Sequence, residues 1–337
     1  MTESVAEAVA RRVGDGEPVV QAQALSRRFG DVWAVRDVSF EVAPGETFGF
    51  LGPNGAGKST TIAMLCTLLR PSSGTAKVAG LDVLADPAGV RRRIGLVFQE
   101  STVDTYLTAM ENLRFHAELY GLDRRRFAAR AEPLLRMVEL WDRRNALVRT
   151  FSGGMRRRLE IARGLVHAPQ VLFLDEPTLG LDPQTRVHIW SYLDQLRASE
   201  GTTVFLTTHH LEEAENCDRI AIIDRGRIVV NDTPQALKGM VGQDRIDLHT
   251  VDDAAAAVAL RERFGLLAER TDEGLTFAVP DGEEFVPALV TGLGVRVVMV
   301  RASRPTLDDV FLSCTGRTIR DIDSSGEPGE MARRWRR

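Results

Sequence analysis

The sequence predicts an α/β fold around a parallel sheet, followed by a small α+β module. Three observations lead there. From about residue 19 to 240, short apolar runs alternate with segments of helical periodicity. One glycine-rich turn, residues 52–60, joins a strand-like run directly to a helix-like one. After Gly239 the pattern shortens into strand, helix, hairpin, helix and strand.

In chain order, residues 1–18 mix acids and arginines without an apolar centre, so they read as a flexible tail and not as a secretory signal. "VVQAQALSRRF" and "VSFEV" read as strands, and "TFGFL" (47–51) as a buried strand before the glycine-rich turn. "KSTTIAMLCTLL" continues as a helix, while "RIGLVFQ", "VLFLDEP", "TTVFLTTH" and "RIAIID" are further buried strands. A helical insert occupies about residues 100–152. Leu107, Met110, Leu113, Ala117 and Tyr120 recur every three or four residues, as on one helix face. A second helical run starts at Phe127, with a kink or break expected near Pro133. The turn "FSGGM" closes the insert, with Ser152 where a helix N-cap belongs.

Residues 241–316 form the second domain. "DRIDLHT", "DDAAAAVALRERF", "AERTDEGLTFAVP", "EEFVPALVTGL" and "GVRVVMVRAS" give the β-α-β-β-α-β order of a ferredoxin-like module. "PTLDDVFL" then reads as a short helix whose stripe of Leu307, Val310 and Phe311 packs onto a neighbouring element. Residues 317–337 read as a disordered tail.

Composition narrows the function classes. The net charge is −4, which gives no general case for binding nucleic acid. Cys66, Cys217 and Cys314 are far apart and in no metal-ligand spacing, as expected of buried free thiols in a reducing compartment. No apolar run reaches the length needed to span a bilayer. Of 43 basic residues only Lys58, Lys77 and Lys238 are lysines. A chain this rich in arginine still has the compact ammonium at position 58.

That position lies in "GPNGAGKST", which fits G-x-x-x-x-G-K-[ST] between a strand and a helix. Gly52, Asn54, Gly55, Ala56, Gly57, Lys58, Ser59 and Thr60 form the candidate phosphate cradle. The backbone amides and the helix N-terminus face the phosphates, Lys58 reaches the β and γ groups, and Ser59 can hold Mg²⁺. "VLFLDEPT" (171–178) supplies a strand-end Asp175 suited to the shell of that magnesium. Glu176 follows, placed to take a proton from water if the strand continues by one residue.

With these motifs on the page, residues 19–240 resemble the nucleotide-binding subunits of ATP-binding-cassette (ABC) transporters. The resemblance implies a RecA-like core, an antiparallel β subdomain and a helical subdomain. "FSGGM" is similar to the family's signature turn, with Phe151 and Met155 as departures from its usual LSGGQ form. It implies that Ser152, Gly153 and Gly154 serve the ATP held by a second subunit. Gln99 matches the Q-loop glutamine, which touches magnesium or the attacking water. Asp182 matches the D-loop aspartate, and His209 the switch histidine, with His210 a bystander. Phe29 occupies the place of the adenine-stacking aromatic, and Trp33 is a second candidate. The segments "LTAMENLRFHAELYGL", "SGGMRRRLEIARGL" and "RPTLDDVFLSCTGR" resemble daunorubicin-resistance-type ATPases. That implies an ATPase dimer, identical or mixed, on the cytoplasmic face of the cell membrane, driving an ABC-2-type permease that exports a hydrophobic or amphipathic compound. A single P-loop and a short insert speak against relatives that act on ribosomes or DNA. The filled positions 176 and 209 speak against a module that binds ATP without hydrolysing it.

Overall fold

A computed structural model describes residues 17–271 and 274–316. The two tails read from the sequence lie outside these residues, apart from Glu17 and Pro18. The described chain forms two compact units that divide between Thr233 and Pro234.

The first unit contains two sheets. Strands β1 (Val20–Phe29), β2 (Val32–Val42), β4 (Ser73–Val78) and β5 (Leu81–Asp82) form an antiparallel sheet in the order β2-β1-β4-β5. β2 extends well before the "VSFEV" segment, and Asp37 takes a positive φ of 52° within it. The second sheet comprises β3 (Thr47–Leu51), β6 (Ile94–Val97), β7 (Val171–Asp175), β8 (Thr203–Thr208), β9 (Arg219–Asp224) and β10 (Arg227–Asp232). Their order is β10-β9-β3-β8-β7-β6. Its strands run parallel except for the β9–β10 hairpin.

β3, β7 and β8 are buried at every residue, which is why they read as unbroken apolar runs. Phe205 of β8 lies 5.4–5.8 Å from the rings of Phe40, Phe48, Phe50 and Phe173, so both sheets share one core. Such ring pairs add about 0.5–1.5 kcal/mol each beyond their buried area.

Helices α1 (Lys58–Leu65) and α2 (Pro87–Arg93) follow β3 and β5. The helical insert contains α3 (Ala109–Leu119) and α4 (Arg124–Met137), and α5 (Gly153–Leu165) returns the chain to the sheet. Thr108 and Glu111 form a capping box that starts α3. α4 begins at Arg124, capped by Asp123, and continues through Pro133 with no break. The helix is not broken there, and the buried residues Phe127, Ala131, Leu134 and Leu135 lie on both sides of the proline. Arg130 adds ties from α4 to the Leu165 and Val166 carbonyls and to Glu200. α6 (Pro183–Glu200) and the short α7 (Leu211–Ala214) complete the unit.

The second unit holds β11 (Asp244–Thr250), β12 (Glu269–Thr271), β13 (Gly274–Val279) and β14 (Val297–Ser303). Their order is β12-β13-β11-β14 and every pair is antiparallel, which is the ferredoxin-like arrangement. Ile246, Leu248, Leu260, Leu275, Phe277, Leu289 and Leu293 fill the core beneath α9 (Asp253–Ala259) and α10 (Gly282–Gly292). The helix of "PTLDDVFL", α11 (Leu307–Thr315), packs against α8 (Pro234–Val241) within the unit, with Leu307, Val310 and Phe311 buried. Cys66 and Cys217 are buried, but Cys314 on α11 is exposed, contrary to the expectation for all three thiols.

Candidate functional site

The parallel strands carry the site at one edge. β3, β8, β7 and β6 are neighbours and end at Leu51, Thr208, Asp175 and Val97. The turns leaving those ends hold residues 52–59, His209, Glu176 and Gln99. This is the crevice outside the carboxyl ends of the strands where open α/β sheets bind ligands.

The glycine-rich loop is shaped by close backbone approach. Gly57 has φ +109°, and a Cβ there would lie 2.5 Å from the Ala34 carbonyl. At Gly52 a Cβ would meet the Ile223 carbonyl at 2.3 Å. Gly57 is also the N-cap of α1 and offers no side chain, so side-chain capping does not use the amides of the first turn. The Lys58 ammonium is buried and folds back over the loop. It donates to the carbonyls of Gly52 at 2.7 Å and Pro53 at 3.2 Å, and pairs with Glu176 Oε1 at 3.2 Å.

Asp175 and Glu176 play different parts. The Asp175 Oδ1 atom accepts from Ser59 at 3.1 Å and from Thr207 at 2.5 Å. Strand β7 stops at Asp175, and Glu176 enters the left-handed region at φ +46°, so strand alternation does not orient it. Its N–H donates to the Thr207 carbonyl and hydroxyl instead. The Glu176 side chain is almost fully buried and accepts from His209 Nδ1 at 3.1 Å and from Gln99 Nε2 at 3.2 Å. Burial pushes its carboxyl up, but the His209 hydrogen bond and the Lys58 charge outweigh that and hold it down, at about 2. It is therefore an anion at neutral pH, and because a carboxylate only accepts, His209 carries its proton on Nδ1. The His210 ring lies 4.1 Å from that of His209.

One hydrogen-bonded cluster thus joins Lys58, Ser59, Gln99, Asp175, Glu176 and His209. The remaining candidates stand apart. Ser152 caps α5 by accepting from Met155 N, Gly153 faces open space, and both are exposed. Gly154 lies close to Thr185, whose amide and hydroxyl are held by Asp182, the N-cap of α6. The FSGGM turn and the start of α6 are thereby neighbours. Phe29 is half-buried beneath the Arg27 guanidinium, and Trp33 is exposed on the same β1–β2 hairpin. The contact between Ala34 and Gly57 brings that hairpin beside the loop.

Sequence reasoning missed Thr207 and Arg157. Thr207 holds both Asp175 and the Glu176 backbone, yet it sits in "LTTH" as an ordinary strand threonine. Arg157 is buried and bonded to several loops, although "RRR" reads as a solvated helix face. The signal was its spacing, since Arg157 shares a stripe with the buried Ile161, Gly164 and Leu165.

Comparison with known proteins extends the picture. The family model described as "ABC transporter" matches residues 35–179. A daunorubicin resistance ATP-binding protein of Streptomyces coeruleorubidus is 42% identical over 306 residues, covering 89% of this chain and 96% of that protein. A Nod factor export ATP-binding protein of Cupriavidus metallidurans is 40% identical over 308 residues, covering 90% and 99%. Among solved structures, an ATP-binding cassette dimer in a post-hydrolysis state with ADP and Pi aligns at TM-score 0.58 and 27% identity, covering 64% of this chain and 98% of that one. Among the described residues no helix is long and apolar enough to cross a membrane.

Proposed function

Since the chain belongs to the ABC transporter family as an ATP-hydrolysing subunit, we propose that it powers export through a separate ABC-2-type permease. The cargo we propose is a hydrophobic or amphipathic compound; relatives named for daunorubicin resistance and for linearmycin resistance support a drug-like cargo. The observation that carries the reading is the Lys58–Glu176–His209–Gln99 cluster at the carboxyl edge of the parallel sheet.

In this reading the residue 52–60 loop and the open first turn of α1 hold the phosphates of ATP. Lys58 leaves Glu176 for the β and γ oxygens. Ser59 and Asp175 present two oxygen donors 3.1 Å apart, a hard set that fits Mg²⁺, and we assign Gln99 to the same ion or to the attacking water. When bound, that ion neutralises charge on the β and γ phosphates. Glu176 orients the attacking water and takes its proton. His209 holds the γ-phosphate, and Phe29 or Trp33 stacks on the adenine. The Ser152–Gly154 turn, exposed at Ser152 and Gly153, donates to the γ-phosphate of a second ATPase subunit, identical or not. Asp182 lies beside that turn at the same interface.

The subunit then works at the cytoplasmic face of the cell membrane, bound to its permease. The test is co-purification from membranes with a tagged chain. A partner polypeptide with about six apolar spans of some 20 residues each is expected. Recovery of the chain with no membrane protein, under conditions that keep it active, refutes the permease reading.

A further inference from the structure

We infer that Arg157 is a positioning residue for Glu176, acting from the helix that Ser152 begins; the inference rests on the reading of Glu176 as the base. Arg157 is buried in α5, and each of its five N–H groups has an acceptor. Nε donates to the Pro177 carbonyl at 2.7 Å. Nη2 donates to the carbonyls of Asp175 at 3.0 Å and Glu176 at 3.1 Å. Nη1 donates to the Phe98 carbonyl and to Glu160 Oε2, the latter at 3.3 Å.

The acceptors define the job. Three are consecutive carbonyls centred on Glu176, and a fourth belongs to the residue before Gln99. Glu176 sits in a backbone region that non-glycine residues rarely adopt, so its surroundings must hold it there. β8 holds the N–H side through Thr207, and Arg157 holds the carbonyl side. The same helix grips the Gln99 segment a second time. Glu160 accepts from Thr102 N at 2.5 Å, and Arg163 donates to the Thr102 carbonyl at 2.7 Å. Arg157 therefore makes one piece of α5, the Glu176 turn and the Gln99 segment. A movement of the Ser152 end of α5 is transmitted to the carboxylate. A planar fork with five fixed donors is needed for this, and a lysine ammonium cannot supply it.

The test combines Arg157→Met and Arg157→Gln, each alone and with Glu176→Gln, in the full-length chain. Single-turnover hydrolysis, steady-state kcat and KM, monomer nucleotide affinity and Tm are read for each. Arg157→Met is expected to lower kcat by about 10²-fold, the order of a misplaced catalytic group, with KM and nucleotide affinity within about threefold. Arg157→Gln, which keeps two donors, should fall between it and the wild type, and it serves if the methionine variant does not fold. In the Glu176→Gln background neither change should reduce the rate by more than about twofold, because the group being positioned has already lost its chemistry. Multiplicative losses in the double variant overturn the inference. So does a loss of nucleotide affinity as large as the loss of kcat, or a kcat within about threefold of wild type in both single variants. Full activity in Glu176→Gln alone refutes the Glu176 reading instead.

Discussion

Replacing Glu176 by glutamine removes a charge while changing almost no shape. The carboxylate holds Lys58 at 3.2 Å, His209 at 3.1 Å and Gln99 at 3.2 Å. A glutamine in the same rotamer still offers one oxygen to Lys58 and His209, and its amide can donate to the Gln99 oxygen after that side chain flips. The loop, the Ser59–Asp175 contact and the backbone around position 176 keep their own bonds, so the fold and the nucleotide cradle survive. What disappears is the basic oxygen. Loss of a general base slows a reaction by roughly 10²–10⁴-fold, about 2.7–5.5 kcal/mol of barrier. Phosphate release by the purified variant should fall by that factor, while nucleotide affinity stays within about threefold. With hydrolysis blocked and ATP still bound, gel filtration should show an ATP-dependent dimer. Turnover within about twofold of wild type would remove Glu176 from the chemistry. A fall in affinity as deep as that of Lys58→Ala would make the carboxylate a structural part of the cradle.

Ser152→Ala gives up the α5 cap, about 1 kcal/mol, and Gly153→Asp projects into open space. Both should leave nucleotide binding to the isolated monomer intact and abolish hydrolysis; monomer binding weakened as far as in Lys58→Ala would refute a role for the turn in a second subunit. The Glu176 carboxyl is depressed from an ordinary value of 4.5 to about 2, so the stability it adds is present above pH 4.5 and lost as pH falls toward 2. Between pH 6 and pH 3 the wild type should lose more stability to urea than Glu176→Gln, by about 2 kcal/mol, and parallel losses would refute the assignment. Glu213 behaves oppositely. Burial pushes its carboxyl up to about 7, against the lowering effects of Thr208 and Arg186, and its Oε2 has no hydrogen-bond partner among the described residues. The stability it gives is present below pH 4.5 and lost as pH rises through 7. Glu213→Gln should therefore gain on the wild type between pH 5 and pH 8, by up to about 3 kcal/mol, and a constant difference across that range would count against it.

Much of the site can be read in the sequence because its chemistry restricts residue type. Gly57 must be glycine for both its φ and its closeness to Ala34, and only lysine puts a compact ammonium over the loop. The strands legible as apolar runs are those buried on both faces. What stayed hidden depends on tertiary partners. The orientation of Glu176 comes from a left-handed residue that strand periodicity does not foresee. Arg157 is concealed inside a basic triplet, although its helical stripe is apolar. Pro133 looked like a helix breaker because sequence shows the missing N–H and not the buried residues that span it. The stripe of Leu307, Val310 and Phe311 announced that it was buried but not that α8 would cover it.

The Lys58–Glu176 pair bears on the order of events in the proposed reading. The cation that would draw in phosphate and the carboxylate that would activate water neutralise each other across 3.2 Å. In the proposed reading an arriving nucleotide has to win Lys58 away, and the same exchange releases Glu176 from that pairing. Admission and arming are thus a single event, as when the key that opens a lock also draws back its safety catch.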